Sequence, residues 1–139
     1  MEASYHFFDH TADMGLTVRA ASLSELLAPA TRGFYSLIGD LAPAAERSMT
    51  EFDLAGESAA LLLRDYLSEL LVVFERDHRF AVRVSEPHLS ETRLAARAEL
   101  ASVDEASTVY DREVKAITYH ELGIRRIPGG FEATLIVDI

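Results

Sequence analysis

Cysteine is absent, which excludes disulfides, thiolate metal sites and a thiol nucleophile. Positive charge is scarce: 13 Lys and Arg stand against 23 Asp and Glu, for a formal net charge of −10 and a pI near 4.8. A surface this acidic repels phosphate backbones, so direct nucleic-acid binding is not expected; a basic protein partner or metal ions would suit it. Long apolar runs are lacking as well. The nearest approach, residues 59–74, is broken by Arg64, Asp65 and Glu69, so no membrane span is expected. No basic stretch followed by an apolar run opens the chain, so no signal peptide is expected, and with the missing cysteine this fits a cytoplasmic protein. No serine sits in a nucleophile-elbow pattern, and neither a Walker-type loop nor a dinucleotide fingerprint is present.

What remains is a chain of 139 residues, 49% hydrophobic, long enough to bury a core as a single domain over residues 1–139. Residues 4–10 read as a strand, 11–15 as a tight connection, and 16–20 alternate as a second strand. Ser22 with Glu25 three residues on is a capping-box pattern, and Leu23, Leu26, Leu27, Ala30, Phe34, Leu37 and Ile38 follow at helical spacing. Pro29 inside that helix implies a kink or an early 3₁₀ turn, and Gly39 ends it. Residues 40–46 read as a loop and 48–54 as a strand. Residues 57–77 form the strongest helical pattern, with Leu61, Leu62, Tyr66, Leu67, Leu70, Leu71, Val73 and Phe74 on its apolar face. Residues 80–85 and 92–100 alternate as strands around a turn at Pro87, and the acidic stretch 101–111 reads as a loop. This order predicts an α+β fold: a mixed, largely antiparallel β-sheet arrangement packed against two α-helices.

The last twenty-five residues carry a hairpin signal, two β-prone runs flanking Pro128-Gly129-Gly130. A three-residue loop with Gly130 left-handed pairs Ile127 with Phe131 and Arg126 with Glu132, and sets His120 opposite Asp138. An imidazole, a carboxylate and the terminal carboxylate of Ile139 then meet at the hairpin's open end. A second constellation is Asp9-His10-Thr11-Ala12-Asp13-Met14-Gly15. Asp and Thr in such a connection ordinarily bond nearby backbone, and a carboxylate at a strand end is ordinarily solvated. The two constellations become one oxygen-rich cluster if the first strand lies beside the last. Calcium or magnesium would take such oxygen ligands, and a histidine among them would admit zinc or manganese. Lys115 would be a solvated charge, an ion-pair partner or a contact to another protein.

Taken together, His10-Thr-Ala-Asp13-Met-Gly15, Lys115-Ala-Ile-Thr-Tyr-His120, the terminal Val137-Asp138-Ile139 and the helical Leu67-Ser-Glu-Leu-Leu71 resemble the archease family over essentially the whole chain. The resemblance implies an accessory protein rather than an enzyme. It would activate an RtcB-type RNA ligase, in tRNA splicing or RNA repair, by promoting ligase guanylylation and multiple turnover and by broadening nucleotide use. It also implies a divalent-metal site, calcium in the family, held here by Asp13, Asp138 and Ile139, with Lys115, His120 and His10 as activation or partner-contact residues. One region departs. Relatives carry a Gly-Glu pair and a basic or His residue before the Lys motif, and residues 100–111 have neither in register, so partner contacts there are expected to differ. Two other readings stay open: a general chaperone or interaction module, and a stand-alone metal-dependent hydrolase built on the same Asp, His and Lys residues.

Overall fold

Period-two segments become strands here and period-3.6 segments become helices. The computed structural model describes residues 1–10 and 13–139, apart from the side chain of His10. The strands are β1 (Ser4–His10), β2 (Asp13–Ala20), β3 (Gly39–Asp40), β4 (Pro43–Ala55), β5 (Arg79–Leu89), β6 (Arg93–Val103), β7 (Val109–Tyr110), β8 (Ala116–Ile117), β9 (Gly123–Ile127) and β10 (Gly130–Asp138). The helices are α1 (Leu27–Ile38), entered through a 3₁₀ turn at Ser24–Leu26, and α2 (Ala59–Asp77). The larger sheet runs β1-β2-β10, and the far edge of β10 is shared by β8 at one end and β9 at the other. A second sheet runs β4-β6-β5, and β3 pairs with β7; every pairing described is antiparallel. Each helix touches both larger sheets: α1 packs on β1, β2 and β5, and α2 packs on β4, β5, β6, β8 and β9. The α+β expectation of two helices with largely antiparallel sheets is met.

The core follows from the alternation. Leu16 and Val18 of β2, and Leu135 and Val137 of β10, are fully buried on the face turned to the helices. Leu62, Leu63, Leu67 and Leu70 of α2 are also fully buried, each worth roughly 1.5–3 kcal/mol. Ser58 caps α2 by accepting from the Leu61 amide at 3.1 Å. Tyr66 brings a polar group into this core. Its hydroxyl meets Thr31 Oγ1 at 2.6 Å, tying α2 to α1, and burial pushes its pKa up to about 12. The entry to α1 matches expectation: the Glu25 amide donates to Ser22 Oγ at 3.2 Å, the 3₁₀ turn precedes the helix, and Pro29 sits in the first α-helical turn, where its missing N–H costs no ladder bond.

Three expectations fail, each for a physical reason. The hairpin loop has two residues, not three: Gly129 takes the positive φ (81°) of a type II turn with Pro128 before it, and Gly130 pairs with Ile127. The register therefore slips by one, so that Arg125, not Arg126, faces Glu132 and Phe131 faces Arg126. Pro87 does not make the turn between β5 and β6. It lies inside β5, at a register irregularity between Ser85 and His88, which an edge strand tolerates because no neighbour needs its missing donor. The loops are also shorter than expected. β4 begins at Pro43, with its register shifting between Pro43 and Arg47, and residues 101–103 complete β6. Along the outer edge of β5, the Ala81 amide donates to the Tyr35 hydroxyl (2.9 Å) and the Leu89 amide to Ser24 Oγ (3.0 Å). Among the described residues no helix is long and apolar enough to cross a membrane.

Candidate metal and partner site

Four rows of residues cross the outer face of the larger sheet, the face turned away from the helices, because residues opposite one another on neighbouring strands share a face. The end row contains Asp13 opposite Asp138, with Ala116 opposite Asp138 on the far side and His10 opposite Asp13 on the near side. The next holds Phe8, Gly15 and Ile136, and the third His6, Thr17, Thr134 and Gly123. The last holds Ser4, Arg19, Glu132 and Arg125.

Asp13 and Asp138 are both half-buried. Two carboxylates directly opposite on adjacent strands repel one another, and a cation between them would relieve that repulsion. The Ile139 side chain packs against the core, which fixes the residue immediately after Asp138. The Lys115 amide donates to the Asp138 carbonyl at 2.8 Å, placing Lys115, the chain's only lysine, at the same strand end with its side chain exposed. Three segments distant in sequence, around residues 13, 115 and 138, thus meet. Two Asp side chains and a chain-terminal carboxylate are oxygen donors that fit a hard cation such as calcium. Among the described residues, no group of three or more His, Asp and Glu side chains gathers closely enough to hold a metal. The residues that could hold a cation here are these two carboxylates with Ile139, with any remaining ligands supplied by water or by a partner. The side chain of His10, and Thr11 and Ala12 of its motif, lie outside the described residues.

The arrangement corrects two expectations. The first strand does not lie beside the last: β2 stands between them, and it is Asp13 at the start of β2 that meets Asp138. His120 is not opposite Asp138. Once the hairpin register slips and β9 stops at Gly123, that place is taken by Ala116, and His120 falls in the exposed turn between β8 and β9. Asp9 pairs with Met14 and so lies on the opposite face from Asp13, and Asp40 belongs to the β3–β7 ribbon.

Sequence reasoning missed what holds this end together. Thr118 bonds the Ile136 carbonyl through both its amide and its hydroxyl, each at 2.9 Å, and the hydroxyl accepts from the His120 amide at 3.2 Å. From α2, Arg64 Nε donates to the Ile117 carbonyl at 2.9 Å, and its guanidinium lies 4.1 Å from the centre of the Tyr119 ring. The interruption of an apolar helix face by one arginine was the only sequence signal. The flat Phe8 ring was missed as well: it covers Gly15 so closely that a Cβ there would stand inside it. At the other end, Glu132 is buried between Arg19 (2.7 Å) and Arg125 (2.8 Å). The Arg19 hydrogen bond leads in holding its carboxyl below the usual 4.5, against the opposing cost of burial and with help from Arg125. Two cavities of about 500 and 620 Å³ open beside α1 and β5 and at the end of α2, and neither is lined by Asp13, Lys115, His120 or Asp138.

Comparisons with known proteins bear on the family and the fold. The family model described as Archease protein family (MTH1598/TM1083) matches residues 5–139. Protein archease of Methanosarcina mazei is 29% identical over 139 residues, covering 97% of this chain and 95% of that one. The Methanosarcina barkeri protein of the same name is 30% identical with the same coverage. Among solved structures, protein 1598 of Methanobacterium thermoautotrophicum superposes with a TM-score of 0.75 at 25% identity, covering 98% of this chain and 99% of that one. An archease of Thermotoga maritima, described as a possible chaperone, superposes with a TM-score of 0.73 at 18% identity, covering 95% of this chain and 94% of that one. With its family model matched over nearly the whole chain and its fold shared with these structures, this chain belongs to the archease family.

Proposed function

We propose that this chain is a non-catalytic activator of an RtcB-type RNA ligase, acting through the acidic end of the larger sheet, where Asp13, Asp138 and Ile139 hold a divalent cation, calcium first. The observation that carries the reading is the meeting of Asp13, Asp138 and Lys115 at one strand end, since the three motifs behind the archease resemblance converge there and nowhere else among the described residues. The bound cation would supply positive charge that neutralises the facing carboxylates and polarises oxygen ligands brought by a partner. The chain's own residues hold the rest of the site. Asp13 and Asp138 are fixed by the β2–β10 ladder, Lys115 stands exposed at the same strand end, and His120 is exposed in the turn between β8 and β9, for contact with the ligase. The net charge of −10 speeds encounter with a basic active-site rim, an effect that falls as salt rises.

A general chaperone is the second reading, prompted by the description carried by the Thermotoga protein. It needs a broad apolar surface, and the exposed large apolar side chains here are spread over Met1, β1, β4, α2, β7 and the turn between β8 and β9. A stand-alone hydrolase draws no support from the two cavities of substrate size, which are lined by other residues. The deciding experiment is multiple-turnover RNA ligation by the RtcB-type ligase of the same organism, with and without sub-stoichiometric amounts of this chain. A rise in both turnover and ligase–GMP is expected. No rise across several metals and nucleotides would overturn the activator reading.

A further inference from the structure

We infer that Tyr119 is the docking anchor by which this chain binds its partner, and that Arg64 of α2 is the positioning residue that holds it ready. The inference rests on the activator reading above and adds to it a contact residue and the element that aims it. Tyr119 is 63% exposed, the most exposed of the large apolar side chains. An exposed aromatic ring is ordinarily held by few contacts, and this one is braced. Arg64 lies against one face of the ring at 4.1 Å, and its guanidinium is anchored on both sides, to the Ile117 carbonyl (2.9 Å) and to Asp65 (2.9 Å). The Arg64 side chain is itself only 19% exposed, so it forms a fixed shelf. The backbone on either side of the ring is tied as well. Ile117 is buried in the core, Thr118 holds the Ile136 carbonyl, and the Leu122 amide reaches back to the Tyr119 carbonyl at 3.4 Å.

An aromatic side chain that is both exposed and pre-ordered is what an interface anchor requires, because little rotamer freedom is lost on binding and a whole ring face is available. Tyr119 lies in the same short segment as Lys115 and His120, and that segment is bonded to the strand carrying Asp138. The occupant is the partner protein, through a basic surface with a slot for one ring. Charge complementarity selects it. The chain as a whole carries −10; around the ring itself the exposed Glu121, two residues on, and the half-exposed Asp65 are balanced by Lys115 and Arg64, so the attraction is that of the whole acidic surface. Ring insertion and the facing carboxylates would then dock as one unit, the anchor fixing how the acidic end enters.

The test measures ligase stimulation against concentration of this chain, with calcium binding by calorimetry and thermal unfolding as controls. Tyr119→Ala should raise the half-saturating concentration about tenfold or more while maximal stimulation at saturation, calcium binding and melting temperature stay near wild type. Tyr119→Phe should stay within about twofold, because the ring is kept. Arg64→Ala should shift the same curve by about threefold to tenfold, and combining it with Tyr119→Ala should add nothing, since the arginine acts through the ring. A folded Tyr119→Ala variant with an unchanged half-saturating concentration would overturn the anchor while leaving the activator reading intact. Additive effects of the two substitutions would overturn the positioning role of Arg64. A wild-type chain that stimulates nothing would overturn the activator reading first and the anchor with it.

Discussion

The two ends of the outer face of the larger sheet are built from the same strands and carry opposite charge designs. At one end Glu132 of β10 lies between Arg19 on β2 and Arg125 on β9, a carboxylate with a cation on each side. At the other end of the same two central strands, Asp138 faces Asp13, like against like. The first row is self-sufficient and closes the sheet. The second sets two like charges side by side across the ladder. That contrast in pairing, more than acidity alone, is what marks the second end as the candidate site.

The contrast breaks most sharply at Asp138. Asp138→Ala should cost more than about 100-fold in calcium affinity and abolish ligase stimulation, without lowering, and even slightly raising, stability in metal-free buffer. Calorimetry and chelator-treated melts check both halves; calcium that still raises the melting temperature of this variant would end the assignment. Between the rows, Gly15→Ala forces a methyl into the Phe8 ring and should cost about 1–3 kcal/mol by urea unfolding. An unchanged midpoint would mean that Phe8 does not lie over Gly15. At the compensated end, Glu132→Gln should cost about 1–2 kcal/mol at neutral pH, the exposed arginines softening the loss, with stimulation untouched. Glu132 has its pKa held below 4.5 in the folded chain, so its contribution is present above that value and is lost as pH falls through the lower folded value. The gap between wild type and Glu132→Gln should therefore close in acid, and a gap that persists would contradict the ion pair. Smallest of all, Arg126→Ala removes a stack on Phe131 at 5.1 Å worth about 0.5 kcal/mol, less than Arg125→Ala removes. The reverse order would restore the register first read from the sequence.

Much of this was legible beforehand. The capping residues, the Pro29 entry, the apolar face of α2 and the pairing potential of the last strand all follow from local rules. The meeting of Asp13 with Asp138 was also within reach, because the motifs and the strand ends pointed the same way. What failed was arithmetic of one residue. Pro128-Gly129-Gly130 accommodates a left-handed residue at either glycine, and nothing in the three letters says which. The structure adds a constraint from outside the hairpin: Gly130 lies so close to the Ala20 carbonyl that a Cβ there would collide with it. That close approach belongs to the β2–β10 pairing, more than a hundred residues away in the chain, and local patterning does not carry it. The role of Arg64 was hidden for the same reason. A charged residue on a helix reads as a solvated one until the segment it shelters is seen beside it.

The two central strands of the larger sheet come from residues 13–20 and 131–138, and this has a kinetic consequence. Their pairing closes nearly the whole chain into one loop, a contact that folding reaches slowly. The facing aspartates exist only once that loop has closed. A chain in which that pairing has not formed does not bring the two carboxylates together, so a ligand for them would favour finished molecules over incomplete ones.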